Sequence, residues 1–378
     1  MSRFPFPHDQ RLPQLVYPSA ADHRDVLAAF RAFRDEIVTA DGARGFLRTR
    51  RPDTPDGVPN STVSEGIAYG LLIAVMLGEQ ALFDAFYGYA LAFANERGLM
   101  SWYVSPAGEK ALGAAAASDA DEDIAWALVM AHRQWGGRGA LRESYLDHAR
   151  RQIDRLWQHE VDHDSVPFLF KPGDEWRPNV FNPSYFAPNQ YRLFAEISGN
   201  RGWLDVVERG YATVEASLNS ESGNRENGLV PAWCDAEGRP VEAFPGAETN
   251  YQTDSARLPF RIAQDFAFYR DPRARSYLAK TSAFFAALGA GAIGDGYHLD
   301  GRPCPDRKTP QPNPGSAVFV GCAAAGAMHD ARYQAFVDAA YARVRTGKLL
   351  ARSRYYNHCW TVLSLLMLTG NFVEFPAP

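Results

Sequence analysis

In the stretch TVSEGIAYGLLIAVMLG, Thr62 to Gly78, one carboxylate stands at the mouth of an otherwise apolar run. From Ile67 to Leu77 only the Tyr69 hydroxyl interrupts the apolar side chains, so the segment reads as a helix buried on every side. A glutamate at the edge of such a helix loses water, which favours its protonated form and makes Glu65 a candidate proton donor. The plainer reading is a capping box, because Thr62-Val63-Ser64-Glu65 has the spacing at which a glutamate bonds back to the helix start. A second acidic helix start, SDADEDIAWALVMAHRQW, carries Asp119, Asp121, Glu122 and Asp123 in five positions. Ser118 as N-cap with Asp121 as its capping partner accounts for part of this, and acids in a first turn complement the helix dipole. Four mutually repelling acids exceed what a cap needs, so at least one must face a cation or a hydroxyl. In YQTDSARLPFR, Asp254 precedes Arg257 by three residues, a spacing that pairs them on a helix. Here the plainer reading is an Asp254 N-cap with a routine ion pair, Pro259 marking a helix that begins nearby.

The chemistry that is missing narrows the choice. The nine histidines form no HExxH or similar pair, which argues against a metal hydrolase, and no GxSxG elbow supports a serine nucleophile. Cys234, Cys304, Cys322 and Cys359 lie far apart with no CxxC spacing, so neither a zinc site nor a disulfide framework is indicated. A net charge of -5 over 378 residues argues against a nucleic-acid partner. The densest basic cluster, Arg44 to Arg51, reads as a solvated loop. No apolar run reaches membrane-spanning length, and MSRFPFPHDQRLPQ lacks the apolar core of a signal peptide. Tryptophans concentrate in long loops. Trp102 between RGLMS and YVSP, and Trp176 after KPGDE, serve either as hydrophobic anchors or as flat platforms for a ligand.

Helical periodicity places elements near 22–38, 63–77, 80–95, 119–135, 141–159, 184–198, 202–217, 254–269, 272–288, 316–327, 331–345 and 356–369, with hardly a strand between them. Helices apolar almost all round (SEGIAYGLLIAVMLG, SAVFVGCAAAGAM, CWTVLSLLMLTG) alternate with helices charged on one face (DHRDVLAAFRAFRDEIV, LRESYLDHARRQIDRLW). Such alternation fits an inner ring wrapped by an outer one, and six hairpins give an all-α (α/α)6 barrel. No linker or low-complexity tract divides the chain, so residues 1–378 read as a single catalytic domain.

At this point the residues resemble a family. ASDADEDIAWALVMAHRQW is similar to the signature of glycoside hydrolase family 8. VSEGIAYGLL, RGLMSW, KPGDEW, NPSYFAP, YQTDSARLPFRIAQD and RYYNHCWTVLSLLMLTGNF extend the likeness over nearly the whole chain. The resemblance implies an (α/α)6 barrel that hydrolyses β-1,4-linked polysaccharide with inversion at the anomeric carbon, and it is greatest to bacterial endoglucanases. It implies Glu65 as general acid, Asp254 as general base and Asp119 as the residue holding the sugar at the cleavage point. Tyr185 and Arg257 match the pair around the attacking water, while Trp102, Trp176 and Tyr356 match stacking positions. It further implies a secreted or periplasmic enzyme, while the N-terminus fits a protein that stays inside the cell as well as a mature form; a monomer without cofactor or metal is expected. An aspartate at position 254 counts against chitosan, because chitosanases of the family typically carry asparagine there.

Elementary chemistry agrees with that assignment. Inverting cleavage needs an acid for the departing oxygen and a base for a water on the opposite face. Three rivals remain: a xylanase or xylo-oligosaccharide hydrolase of the same family, a non-catalytic glycan-binding barrel, and a polysaccharide lyase. Paired carboxylates are superfluous for binding alone, and a lyase needs cations around a uronate. Exo-acting relatives block the cleft with a histidine-bearing loop. The corresponding KTPQPNPGSAVFVG has no histidine, so an open cleft and endo cleavage are expected.

Overall fold

The computed structural model describes residues 2–54, 57–304, 315–351 and 353–377. Its helices are α1 (His23–Ile37), α2 (Ser64–Leu77), α3 (Gln80–Ala92), α4 (Ser118–Trp135), α5 (Tyr145–His159), α6 (Pro188–Ser198) and α7 (Gly202–Ser217). After these come α8 (Thr253–Ala256), α9 (Leu258–Tyr269), α10 (Pro272–Leu288), α11 (Ala317–Ala327), α12 (Gln334–Val344) and α13 (Arg354–Leu368). Six of them form a closed inner ring, each packed on the next in the order α2, α4, α6, α9, α11, α13, with α13 returning to α2. Outside it, α3, α5, α7, α10 and α12 each pack on the inner helix before them in the chain, and α1 packs on α13. This is the expected (α/α)6 barrel.

The division follows from side-chain pattern. Every residue of α11 is buried, as are nearly all of α2 and α4. An outer helix buries one stripe only: Val26, Phe30, Phe33 and Ile37 recur at intervals of three and four on α1. The C-terminal ends of the inner helices are closed over by the two chain ends. Arg3 N donates to Gln134 O, His8 N donates to Asn371 Oδ1, and Phe4 stacks on Phe375 at 4.9 Å. The N-terminal ends of the inner helices are left for the cleft.

Several local readings need correction. The helix expected over 254–269 breaks at Arg257 into the one-turn α8 and α9, because Pro259 supplies no N–H to continue the ladder but suits a first turn. The helix expected from 184 starts at Pro188, after a 3-10 turn over Pro183–Tyr185. Among the described residues there are five short strands. β1 (Val38–Thr39) pairs with β2 (Arg48–Thr49), and β3 (Thr62–Val63), β4 (Tyr103–Val104) and β5 (Ala111–Gly113) form a second antiparallel sheet. Nor is the Arg44–Arg51 cluster simply solvated. Arg48 is buried and donates to the carbonyls of Asp41, Asn60 and Pro106 and to Thr62 Oγ1, tying the cleft loops together.

Candidate active site

An open cavity of about 360 Å³ lies over the inner helix N-termini. Glu65 of α2, Asp119 of α4, Tyr185 of the turn before α6, Asp254 of α8, Val318 of α11 and Tyr356 of α13 all line it. Carboxylates suit this place electrostatically, since each helix presents its positive dipole end and unpaired N–H groups there.

Glu65 is not engaged in a capping box. The N-cap of α2 is Val63, which has no side chain able to cap, and the Thr62 hydroxyl donates instead to Thr49 O at 2.7 Å. The Glu65 carboxyl projects into the cleft, where Arg257 Nη1 donates to Oε2 at 2.8 Å and the Tyr355 hydroxyl donates to Oε1 at 2.6 Å. Burial pushes its pKa up to about 7; Arg257 and Tyr355 pull it down, and Asp119 and Asp254 push it up. The backbone N–H of Ser64 donates to Trp102 O at 2.9 Å, and β3 pairs with β4 across Val63 and Tyr103. The carboxyl and the Trp102 ring are therefore carried by one small sheet. Trp102 is 42% exposed, stacks on Tyr103 and borders the cavity.

Arg257 is the centre of the site, and its side chain has no exposed surface. Sequence spacing pairs it with Asp254, but that contact is its longest, at 3.4 Å from Nη2. Nη1 lies 2.7 Å from Asp119 Oδ2, 2.8 Å from Glu65 Oε2 and 2.9 Å from the Tyr69 hydroxyl. Two N–H groups cannot serve three oxygens separately, so one of those oxygens shares a hydrogen or brings its own, as the Tyr69 hydroxyl does. Ser184 Oγ accepts from Nε and Nη2 and donates to Asn182 Oδ1, and the Tyr185 ring lies under the guanidinium at 5.0 Å.

Asp254 is not the helix N-cap either. Gln252 caps α8, its Oε1 accepting the Asp254 N–H, while its Nε2 donates to Asp254 Oδ2 at 3.0 Å. That holds one carboxylate oxygen and leaves the side chain 34% exposed toward the cavity. Asp119 is enclosed, and burial raises its pKa against the pull of Arg257.

The remaining acids of α4 are all buried, each with a different partner. Gln152 donates to Asp121, Tyr191 donates to Glu122, and Arg261 pairs with Asp123. Ser118, read as the N-cap, instead donates its hydroxyl to Lys171 O.

Trp176 stands apart from the cavity lining. It is half-buried and stacks on Trp233 at 5.0 Å, with Phe244 against both rings. Trp233 also meets Tyr185 at 6.2 Å, so the aromatic surface continues from the carboxyls to Trp176. Tyr356 is buried against Tyr69 and Trp360, with one edge at the cavity. Sequence reading missed Tyr355, Tyr69, Ser184, Gln252 and Trp233. Two of them offered a local signal: Tyr69 as the one hydroxyl in the apolar run of α2, and Tyr355 because the N-cap residue Ser353 puts both tyrosines in the first turn of α13. The loop segment Lys308–Pro314, on which the open-cleft expectation rests, lies outside the described residues.

A cleft at the N-terminal mouth of an (α/α)6 barrel, walled by carboxyls and aromatic rings, has the groups that acid–base cleavage and stacking on a sugar require. The model of the family described as Glycosyl hydrolases family 8 matches residues 4–370, and the chain belongs to that family of hydrolases. It is 36% identical over 383 residues to Endoglucanase C of Ruminiclostridium cellulolyticum, covering 98% of this chain and 77% of that protein. Among solved structures it superposes on an apo β-1,3-1,4-glucanase from Paenibacillus sp. X4 with a TM-score of 0.86 at 23% identity, over 97% of this chain and 98% of that one. A mutant of Rex8A from Paenibacillus barcinonensis, complexed with an arabinofuranosyl-xylotetraose, gives 0.74 at 21% identity over 96% and 97%. These two likenesses bear on the fold alone.

Proposed function

We propose that the protein is an endo-acting, inverting hydrolase of β-1,4-glucan chains, with Glu65 as general acid and Asp254 as general base. The observation that carries this reading is the convergence of Glu65, Asp119 and Asp254 on the one buried guanidinium of Arg257, at the wall of an open cavity. A carboxyl with its pKa near 7 still holds a proton to give a departing oxygen. Asp254, the most exposed of the three and steadied by Gln252, has room for a water between itself and a sugar. Asp119, enclosed and tied to Arg257, is suited to accept from a sugar hydroxyl at the cleavage point, and Tyr185 with Arg257 is suited to hold the water. Trp102 and Tyr356 border the same space as stacking surfaces, and Trp176 continues them through Trp233.

Identity of 36% to an endoglucanase supports glucan as the substrate. A single domain over residues 1–378 is supported by the family match to residues 4–370 and by a barrel that closes only when α13 meets α2; a monomer is the proposed state. No described helix is long and apolar enough to cross a membrane, and a polymeric substrate calls for a secreted or periplasmic enzyme. The test is a reducing-end assay on carboxymethylcellulose, mixed-linkage β-glucan, xylan and chitosan, with viscosity followed in parallel. The expected result is turnover of the glucans with an early fall in viscosity. Much faster turnover of xylan contradicts the substrate, and single sugars as the sole early product contradict endo cleavage.

A further inference from the structure

Both oxygens of Glu65 are already held, one by Arg257 and one by Tyr355. A guanidinium offers only donors, so Oε2 faces hydrogens and the exchangeable proton belongs on Oε1. An oxygen of a carboxyl has two lone-pair positions. The Tyr355 hydroxyl, 2.6 Å away, occupies one of those on Oε1 and leaves the other. The approach is built into the backbone. A Cβ at Gly66 would meet Tyr355 Cε2 at 2.6 Å and Thr49 Oγ1 at 2.5 Å, so only glycine beside Glu65 lets the ring lie this close to α2.

We propose that Tyr355 is the positioning residue of Glu65: its hydroxyl leaves one Oε1 lone pair for the transferable proton and stabilises the carboxylate once that proton has gone. The inference rests on Glu65 being the general acid. In the step, the Oε1–H bond breaks and its proton passes to the glycosidic oxygen as that oxygen's bond to the anomeric carbon breaks. Tyr355 keeps its own proton, and its O–H strengthens as a donor while charge grows on Oε1.

Other groups face the same carboxyl. Arg257, Asp119 and Asp254 approach from other helix starts, and Tyr69 sits one turn along α2. Tyr185 stands before α6, and Tyr356 and Cys359 lie on α13. Arg51 reaches Tyr355 from the loop after β2. Replacing Tyr355 with phenylalanine alters none of these, so a shift in titration reports the lost hydroxyl.

The experiment is the pH dependence of kcat/KM on soluble β-glucan for the parent and Tyr355→Phe. Removing a donor to the ionised form favours the protonated one, so the alkaline limb moves up by about one pH unit, a tenfold change in ionisation constant. The plateau rate falls several-fold, while a glycosyl fluoride, whose departure needs little protonation, keeps its rate. 3-Fluorotyrosine at position 355, a stronger donor of nearly the same shape, moves the limb down and supplies the readout if the phenylalanine variant does not fold. A limb that stays in place in whichever variant folds overturns the proposal. Glu65→Gln on the two substrates tests the underlying assignment separately: equal losses reject Glu65 as the acid, whatever Tyr355 does.

Discussion

Arg257 Nη1 lies 2.7 Å from Asp119 Oδ2, and neither side chain is more than 3% exposed. The pair is desolvated, so its geometry depends on both partners remaining. Taking away one partner of a buried pair costs about 3–5 kcal/mol, because the other charge stays enclosed. Arg257→Met is expected to lose about that much in urea unfolding near neutral pH. The loss shrinks in acid, where Glu65 and Asp119 take up protons and no longer need the cation.

Glu65→Gln is expected to keep its fold and to lose about 10²–10⁴-fold on glucan, the usual worth of a general acid. If Glu65 is the acid, kcat/KM of the parent is expected to fall as pH rises past about 7 and that carboxyl loses its proton. The same shift is a stability statement. Its pKa is raised from 4.5 to about 7, so the folded chain holds more protons than the unfolded one across that window. Glu65 therefore supports the fold fully below about 4.5, and this support is lost as pH rises through 7. Thermal melts across this range are expected to show a decline in the parent that Glu65→Gln lacks.

Gly113→Ala tests the seating of Trp102. A Cβ there would meet the indole Nε1 at 2.1 Å, and the ring would have to leave its place at the cavity edge. The expected outcome is a several-fold rise in KM for long glucan chains with kcat little changed, because stacking supplies binding away from the bond that breaks. A fall in kcat with KM unchanged would show that Trp102 contributes no such binding.

Glu160 is fully enclosed, and among the described residues neither of its carboxyl oxygens has a hydrogen-bond partner. Burial, with Asp121, Asp174 and Glu122 nearby, raises its pKa well above the usual range, and Lys171 offsets this only in part. A raised carboxyl contributes stability in acid and loses it as pH rises. Glu160→Gln, which cannot ionise, is expected to melt higher than the parent in alkaline buffer, with the difference closing in acid.

How much of this was legible follows from how far apart the partners lie. Glu65, Asp119 and Asp254 stood out as acids at helix starts, where spacing alone read equally as capping, and the family resemblance assigned their roles. The alternation of apolar and one-faced helices likewise gives the two rings. From spacing alone Arg257 was legible as a neighbour of Asp254, and from the resemblance as a partner of Tyr185 around the water. Its stronger ties run to Glu65, 192 residues away, and to Asp119, 138 residues away, and no local pattern encodes either. The capping readings failed because local spacing does not reveal that Val63 and Gln252 hold the N-cap positions. Strands of two or three residues are too short for alternation to register, yet they set Trp102 beside Glu65. Burial of Arg48 and the stacking of Trp176 on Trp233 are products of loop packing, which periodicity does not report.

The central claim is that Glu65 and Asp254 act on opposite faces of the sugar through a water. It is tested most directly by the first product released from a soluble β-glucan, observed by proton NMR before mutarotation. Inversion predicts the α-anomer, with Asp254→Asn binding oligosaccharide nearly as well as the parent but turning it over very slowly. Initial β-anomer, or a trapped glycosyl-enzyme on Asp254, would contradict the account by showing that the aspartate attacks carbon itself.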